Sequence, residues 1–431
     1  MSDLALFGGK KTLPSLPKYN PIGEEEVRAA TEVVSSGLLS GYLGVWDPGF
    51  YGGPKVQELE REWERYFGVK HAVAVNSNTS GLMAALGAIG LEPGDEVIVS
   101  PWTMCASATS ILVWNAIPVF ADIEEETFNL DPESIEANIT PYTKAILVSD
   151  IIGHAADLDR IVEIAERHGL KVIEDNAQAP GALYNGGRWV GTVADIGVFS
   201  LNCHKHIHTG EGGVCVTNDD SLAERMELIR NHGEAVVEGK GVSDLTNIIG
   251  FNFRMTEVGA AIGIEQLKKL AGIVTAKRSA ADRLTSRLSD FPGLQTPIVR
   301  DGCTHVYYTY PLVYDPEVTG VDRRWVVDAL RAEGVPTGAG YLNLHLLPVF
   351  QKKQAYGRSG FPWTGGCYKG NVNYTKGICP VAEKLHDDMF IGLGWCLFEG
   401  TEDEVDLIGD AFEKIWRNLG EIKARCGESE M

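Results

Sequence analysis

The sequence predicts an α/β fold: a mostly parallel sheet of seven strands with flanking helices, followed by a smaller α+β C-terminal domain. Three observations carry this. Between about residues 70 and 220, short apolar runs alternate with helical patterns. The runs are HAVAV (71–75), EVIV (96–99), IPVFA (117–121), AILVS (145–149), KVIE (171–174), DIGVF (195–199) and VCVT (214–217). Most are rich in Val and Ile without strict alternation, as strands buried on both faces are. Helices such as SGLMAALGAIG and LDRIVEIAERHG lie between several of them.

Ahead of the first strand, PKVQELEREWERYFG spaces Val56, Leu59, Trp63 and Phe67 as one apolar helical face, a packing pattern. A long helical stretch over roughly 256–289 follows the sheet, and the pattern changes near Ala280. The expected organisation is an N-terminal arm (1–25), a large α/β domain (26–280) and a small α+β domain (281–431). Segment 351–380, rich in Gly, aromatics and Lys, reads as a long loop, and loops of that length are uncommon unless functional. The charged tail after Arg417 reads as frayed.

The chain has 431 residues, 44% of them hydrophobic, enough for more than one core. Its formal charge of −21 repels nucleic acid and anionic membranes, so neither is an expected partner. No apolar run approaches the ~18–20 residues of a membrane span. MSDLALFGGKKTLPSLP lacks the basic start and apolar stretch of a signal peptide. Eight scattered cysteines without a C-x-x-C pair argue against a zinc ribbon and suit a reducing cytoplasm.

In a parallel sheet, ligands bind at the C-terminal strand ends. After HAVAV, Asn76-Ser77-Asn78-Thr79-Ser80-Gly81 opens a helix whose free N–H groups and dipole suit a phosphate, although a plain N-cap explains the same residues. After KVIE comes Asp175-Asn176-Ala177-Gln178. A carboxylate there is costly unless it meets a cation or several donors. A protonated pyridine nitrogen would be such a cation; capping of the next turn is the alternative. After DIGVF come Ser200 and then Lys205, five residues before Gly210. A lysine near a cofactor aldehyde can form a Schiff base and shuttle protons, and GEGG gives the tight turn back. In this order, the three loops describe a pyridoxal 5′-phosphate site.

Lys205 sits inside FSLNCHKHIHTGEGG. His204, His206 and His208 alternate, so on a strand they would share the face opposite Lys205. A metal there needs three ligands, outer partners and an open position, which one short segment would strain to supply. The favoured reading has no metal, with the histidines packed around the cofactor pocket and bonded to backbone.

Six stretches resemble the sugar aminotransferases of the DegT/DnrJ/EryC1/StrS group, fold-type-I (aspartate aminotransferase-like) enzymes that use pyridoxal phosphate. They are VNSNTSGLMAALGAIGLEPGDEVIVSPWT, PVFADIEEETFNLDPESIEANITPYTKAILV, VIEDNAQAPGA, the FS…K…TGEGG block, GFNFRMTEVGAAIG and CPVAEKL. The resemblance runs from about Gly53 to Val405 and is most specific at EDNAQA and K-x4-GEGG. It implies that Lys205 is the Schiff-base lysine, that Asp175 pairs with the pyridinium nitrogen and that Gln178 lies near the ring hydroxyl. It implies that Thr79, Ser80 and Ser200 hold the phosphate. Asn252 is implied to reach the phosphate of the neighbouring subunit's cofactor, making a homodimer with shared active sites, and Arg254 to help near the site.

The chain departs from the family pattern where substrate is expected. Met104 stands where many members stack Phe or Trp on the ring, and a methionine covers a ring less rigidly; Trp102 is the substitute considered. Asp150, in VSDIIG, stands where many have His. The insertion GYLGVWDPGFYGGP (41–54) and the GLGWCLFEG end are also unusual. Trp102, Asp150, His206, Arg254 and His345 are the candidate substrate contacts. Relatives with His in place of the lysine dehydrate sugars; here Lys205 keeps the register and His206 is one place off, close enough to join in proton transfer. The implied activity is amino transfer from L-glutamate (or L-glutamine) to a keto-sugar. A nucleotide-linked 3- or 4-keto-6-deoxysugar comes first, and a keto-cyclitol of the scyllo-inosose type second. A non-catalytic sensor that binds the cofactor is a further alternative, and the intact Lys205 argues against it.

Overall fold

The computed structural model describes residues 2–427; residue 1 of the arm and the last four of the 281–431 unit lie outside them. Seven strands form the large sheet: β1 (His71–Val75), β2 (Glu96–Val99), β3 (Ile117–Phe120), β4 (Thr143–Ser149), β5 (Lys171–Asp175), β6 (Ile196–Ser200) and β7 (Gly213–Thr217). Their spatial order is β1-β7-β6-β5-β4-β2-β3. The run from β3 through β2, β4 and β5 to β6 is parallel, and β7 is antiparallel to both β6 and β1. The exception has a local cause. The Lys205 loop turns back through Gly210–Gly213 without a crossover helix, and β7 pairs antiparallel with β6.

Helices cover the sheet. The predicted face of α1 (Pro54–Phe67) is buried through Val56, Leu59, Trp63 and Phe67. Helix α2 (Asn78–Ala88) is mostly small and apolar, and it lies close against β6 and β7. A Cβ at Gly81 would meet Val198 Cγ1 at 2.7 Å and Cys215 Sγ at 2.9 Å, so this glycine is what permits the approach. The result fixes the N-terminus of α2 at the strand ends. Helix α3 (Cys105–Val113) follows β2.

Helix α4 (Glu257–Leu288), capped by Thr256, joins two cores. Ile264, Leu267 and Leu270 pack with the large sheet, whereas Ala281, Leu284 and Leu288 pack in a second core. Position 280 therefore lies inside a continuous helix. The second core is built on an antiparallel sheet of β8 (Leu294–Gln295), β9 (Tyr310–Tyr314), β10 (Thr337–Ala339) and β11 (Phe390–Leu393), in the order β8-β9-β11-β10. Helices α5 (Arg323–Glu333) and α6 (Glu402–Arg417) cover it.

Residues 352–379 contain neither helix nor strand, as the loop reading expected. The loop is nevertheless anchored in the large core by Trp363, Val372 and Tyr374. The Tyr374 hydroxyl donates to the Pro118 carbonyl at 2.7 Å and accepts from Trp363 Nε1 at 3.0 Å. The tail is not frayed through 427. Residues Leu419–Gly427 form helix α7, because Ile422 and Cys426 bury in the second core. Among the described residues, no helix is long and apolar enough to cross a membrane.

The N-terminal arm also joins the second core, through Leu4 and Leu13. Glu333 ties it down: its carboxylate accepts from Ala5 N at 2.8 Å, Thr12 N at 3.0 Å, Thr12 Oγ1 at 2.8 Å and Lys414 Nζ at 2.9 Å. Burial alone would raise the Glu333 pKa, but these donors outweigh it and hold the carboxyl below its ordinary value. Its stabilisation is complete above the ordinary value of about 4.3 and is lost as pH falls through the lowered folded value. Glu333→Gln should cost about 1–3 kcal/mol at neutral pH and flatten the acid limb of the stability curve. Denaturant melts at several pH values check this.

Candidate active site

A cavity of about 230 Å³ opens at the C-terminal ends of β1, β5 and β6. The sequence candidates Thr79, Asp175, Gln178, Ser200 and Lys205 line it, together with Met104 and Asp150.

Asp175 ends β5 and is 5% exposed. Ser107 Oγ donates to its Oδ2 at 2.7 Å, while Asn78 Nδ2 (3.2 Å) and Ala177 N (3.3 Å) donate to Oδ1. The chain of donors continues behind Ser107. Ser149 Oγ donates to Thr103 Oγ1 at 3.0 Å, and Thr103 Oγ1 lies 2.9 Å from Ser107 Oγ. Burial raises the Asp175 pKa; the Ser107 hydroxyl and the Lys205 charge act against that rise.

Lys205 stands in the turn after β6 and is 8% exposed. Burial pulls its amine down to about 8, against the attraction of Asp175. An amine that titrates near neutrality can serve as nucleophile and as base. Gln178 is fixed at both ends of its amide: Oε1 accepts from Ile152 N at 2.7 Å, and Nε2 donates to Tyr341 Oη at 3.2 Å. Asp150 is fully buried, with Oδ1 accepting from Ala156 N at 3.2 Å and Oδ2 without a protein partner among the described residues. Burial, then the charges of Glu174 and Asp175, push its pKa well up. That shift favours the protonated acid.

These groups fit pyridoxal phosphate. Asp175 is a buried carboxylate suited to a cationic ring nitrogen, and Lys205 is a buried amine suited to an aldehyde. Thr79 and Ser200 bring hydroxyls beside the open N–H groups of α2, which suit a phosphate. Gly213 completes the cradle: a Cβ there would meet the Ser77 and Asn78 backbone at 2.7–2.8 Å.

Other candidates lie outside the cavity, each for a local reason. Ser80 closes a capping box with Ser77 and donates to Asn76 Oδ1 at 2.6 Å, so its hydroxyl turns inward while Thr79 faces the cavity. Trp102 is buried behind the wall, with Nε1 donating to Asn343 Oδ1 at 2.8 Å; Met104, 62% exposed, takes the mouth. His345 pairs with Glu383 at 2.9 Å beside Phe120. Asn252 is exposed next to the phosphate loop, its carbonyl accepting from Asn76 Nδ2 at 3.3 Å, and Arg254 bridges to Val75. The 201–210 segment is a turn, so the histidines do not alternate across a strand. His204 reaches the cavity, His206 Nε2 lies 2.8 Å from the Val306 carbonyl, and His208 bonds Gln266 through its backbone.

The sequence reading missed Thr103, Ser107, Ser149, Tyr308 and Tyr341. The three hydroxyls sit near strand and helix ends, where a buried hydroxyl is the one available signal. The tyrosines come from distant segments and carry none.

The fold and the site define a fold-type-I enzyme that works with pyridoxal phosphate. The chain matches the model of the DegT/DnrJ/EryC1/StrS aminotransferase family over residues 23–388. It is 34% identical over 419 residues to the L-glutamine:2-deoxy-scyllo-inosose aminotransferase of Streptoalloteichus tenebrarius, covering 94% of this chain and 96% of that protein. It is 39% identical over 303 residues to the GDP-perosamine synthase of Caulobacter vibrioides, covering 69% and 79%. Among solved structures, DesI in the presence of its TDP-sugar product superposes with a TM-score of 0.80 at 28% identity, covering 98% of this chain and 99% of that one. The chain belongs to the DegT/DnrJ/EryC1/StrS aminotransferase family and is a pyridoxal phosphate-dependent aminotransferase.

Asp175 has a consequence for stability. Because its folded pKa is raised, the cofactor-free protein loses stability as pH rises from the ordinary value of about 3.9 through the folded value. Asp175→Asn removes this cost, and the Ser107 hydroxyl can turn to accept from the new amide. The variant should melt higher than wild type at pH 7 without cofactor, while binding cofactor at least about tenfold more weakly. Melting curves and a cofactor titration check both.

Proposed function

We propose that this cavity moves an amino group from L-glutamate, or L-glutamine, to a ring ketone, a nucleotide-linked 3- or 4-keto-6-deoxysugar being the acceptor that best fits. The observation that carries the reading is that Lys205 and Asp175, both buried, line one cavity at the strand ends. Pyridoxal phosphate, when bound there, supplies an aldehyde and an electron-accepting ring. Asp175, whose Oδ atoms accept from Ser107 and Asn78, would hold a proton on the ring nitrogen. Lys205 Nζ would hold the cofactor through its aldehyde carbon as an imine, with water leaving, and the freed amine would be placed to move the donor's α-proton. Thr79, Ser200 and the α2 N–H groups bind the phosphate, and Gln178 orients the ring hydroxyl. Met104 and Asp150 face the acceptor.

Asn252 is exposed at the edge of the phosphate loop, and in this reading it serves the cavity of a second copy, with Arg254 beside it. The active unit is then a homodimer. Eight free thiols accord with a reducing compartment, and we infer the cytoplasm.

The likeness to GDP-perosamine synthase and to DesI supports a nucleotide-linked acceptor. A keto-cyclitol is the second reading, and two observations favour it. The match to the 2-deoxy-scyllo-inosose aminotransferase spans 94% of the chain, beyond the 23–388 core. Among the described residues lining the cavity, Lys205 is the one Lys or Arg, so the cavity wall offers a diphosphate no other such cation there.

Lys205→Ala should reduce amino transfer by more than about a thousandfold while the protein stays folded; retained amination would overturn the assignment. Mass spectrometry of reactions with TDP- and GDP-linked 4-keto-6-deoxysugars and with 2-deoxy-scyllo-inosose separates the two acceptors. The nucleotide reading expects a mass change on the sugars alone, and amination of the cyclitol alone would replace it.

A further inference from the structure

Lys205 Nζ has no hydrogen-bond or ion-pair partner among the described residues. Its close neighbour is an aromatic face: the Tyr308 ring centroid is 4.2 Å away. The segment around Tyr308 is held there by two other parts of the chain. Val306 N donates to the Gly153 carbonyl at 2.8 Å, and Thr309 N to the Ile152 carbonyl at 3.3 Å. His206, next to Lys205, lies 2.8 Å through Nε2 from the Val306 carbonyl. Gly153 has φ +101°, and a Cβ there would meet Tyr308 N at 2.8 Å. Tyr307, just before it, adopts a left-handed φ of 54°. The turn after β4, the turn after β6 and the lead-in to β9 thus converge to place one ring.

A buried ammonium needs compensation. Asp175 could supply it, but that carboxylate is wanted by the ring nitrogen. An aromatic face attracts a cation without accepting its proton. We propose that Tyr308 is a positioning residue whose ring face holds the Lys205 ammonium over the cavity whenever that amine is unbonded. The lysine then stays aimed and uncommitted between its two tasks. The inference rests on Lys205 being the amine of the proposed transfer. The other titratable groups acting on Lys205 are Asp175 from β5, Cys396 from the turn after β11, and the flanking His204 and His206.

The test uses the cofactor-free full chain. Acetic anhydride labels Lys205 as the free amine, and peptide mass spectrometry gives the pH midpoint of that reaction. Tyr308→Phe should keep the wild-type midpoint. Tyr308→Leu should lower it by about half a unit to one unit, a three- to tenfold change in basicity. Mere opening of the site would act the other way, by rehydrating the ammonium. Phenylalanines of increasing fluorination placed at position 308 keep the ring's shape while weakening its face, and should lower the midpoint stepwise. This series decides the matter even if the leucine variant does not fold. A midpoint that is unchanged across the fluorinated series, or that falls as far in Tyr308→Phe as in Tyr308→Leu, overturns the inference. Because labelling needs no cofactor, that failure is separate from failure of the proposed function, which would show as inability of the wild-type chain to bind pyridoxal phosphate.

Discussion

Burying a carboxylate at the end of a central strand is costly, and the surroundings of Asp175 are organised to meet that cost. Three donors reach it directly, from the α2 N-terminus, from α3 and from its own loop. Ser149 and Thr103 stand behind Ser107, so hydroxyls from the end of β4 and the loop after β2 polarise the bond to Oδ2. Lys205 faces it across the cavity. Asp150 contrasts with it: it has one backbone donor and two carboxylates for neighbours, and burial with those charges pushes its pKa well up. Two carboxyls at the ends of adjacent strands thereby sit in different settings, Asp175 with three donors and Asp150 with one.

The sheet makes this possible by collecting the ends of parallel strands at one edge. Gly81 lets α2 settle against β6 and β7, and Gly213 lets β7 begin against the start of α2. The second core then closes the cavity from the other side. Tyr308 arrives from the lead-in to β9 and Tyr341 from beyond β10. Because α4 runs through both cores, the residues of the large sheet and those of the smaller one are held in one frame.

Much of this was legible in the sequence. Val- and Ile-rich runs bounded by turn residues mark all seven strands, and the residues just after them supply Thr79, Asp175, Gln178, Ser200 and Lys205. Finer choices depended on rotation and pairing that spacing does not encode. Thr79 and Ser80 are chemically alike, and the capping box decided which hydroxyl turns inward. Trp102 and Met104 sit two apart, yet a hydrogen bond to Asn343 draws the tryptophan into the wall. The histidine run suggested a strand, but the tight return to β7 made it a turn and sent each imidazole to different surroundings. Tyr308 and Tyr341 were invisible because about 100 residues or more separate them from Lys205. The tail's charge suggested fraying, yet Ile422 and Cys426 are enough to seat its helix.

The most direct measurement is the visible spectrum of the wild-type chain with pyridoxal phosphate, before and after L-glutamate is added. The account predicts a yellow band that moves to the shorter wavelength of the aminated cofactor, and that returns when the ring ketone is supplied. A chain that keeps no yellow band once unbound pyridoxal phosphate has been removed would contradict it.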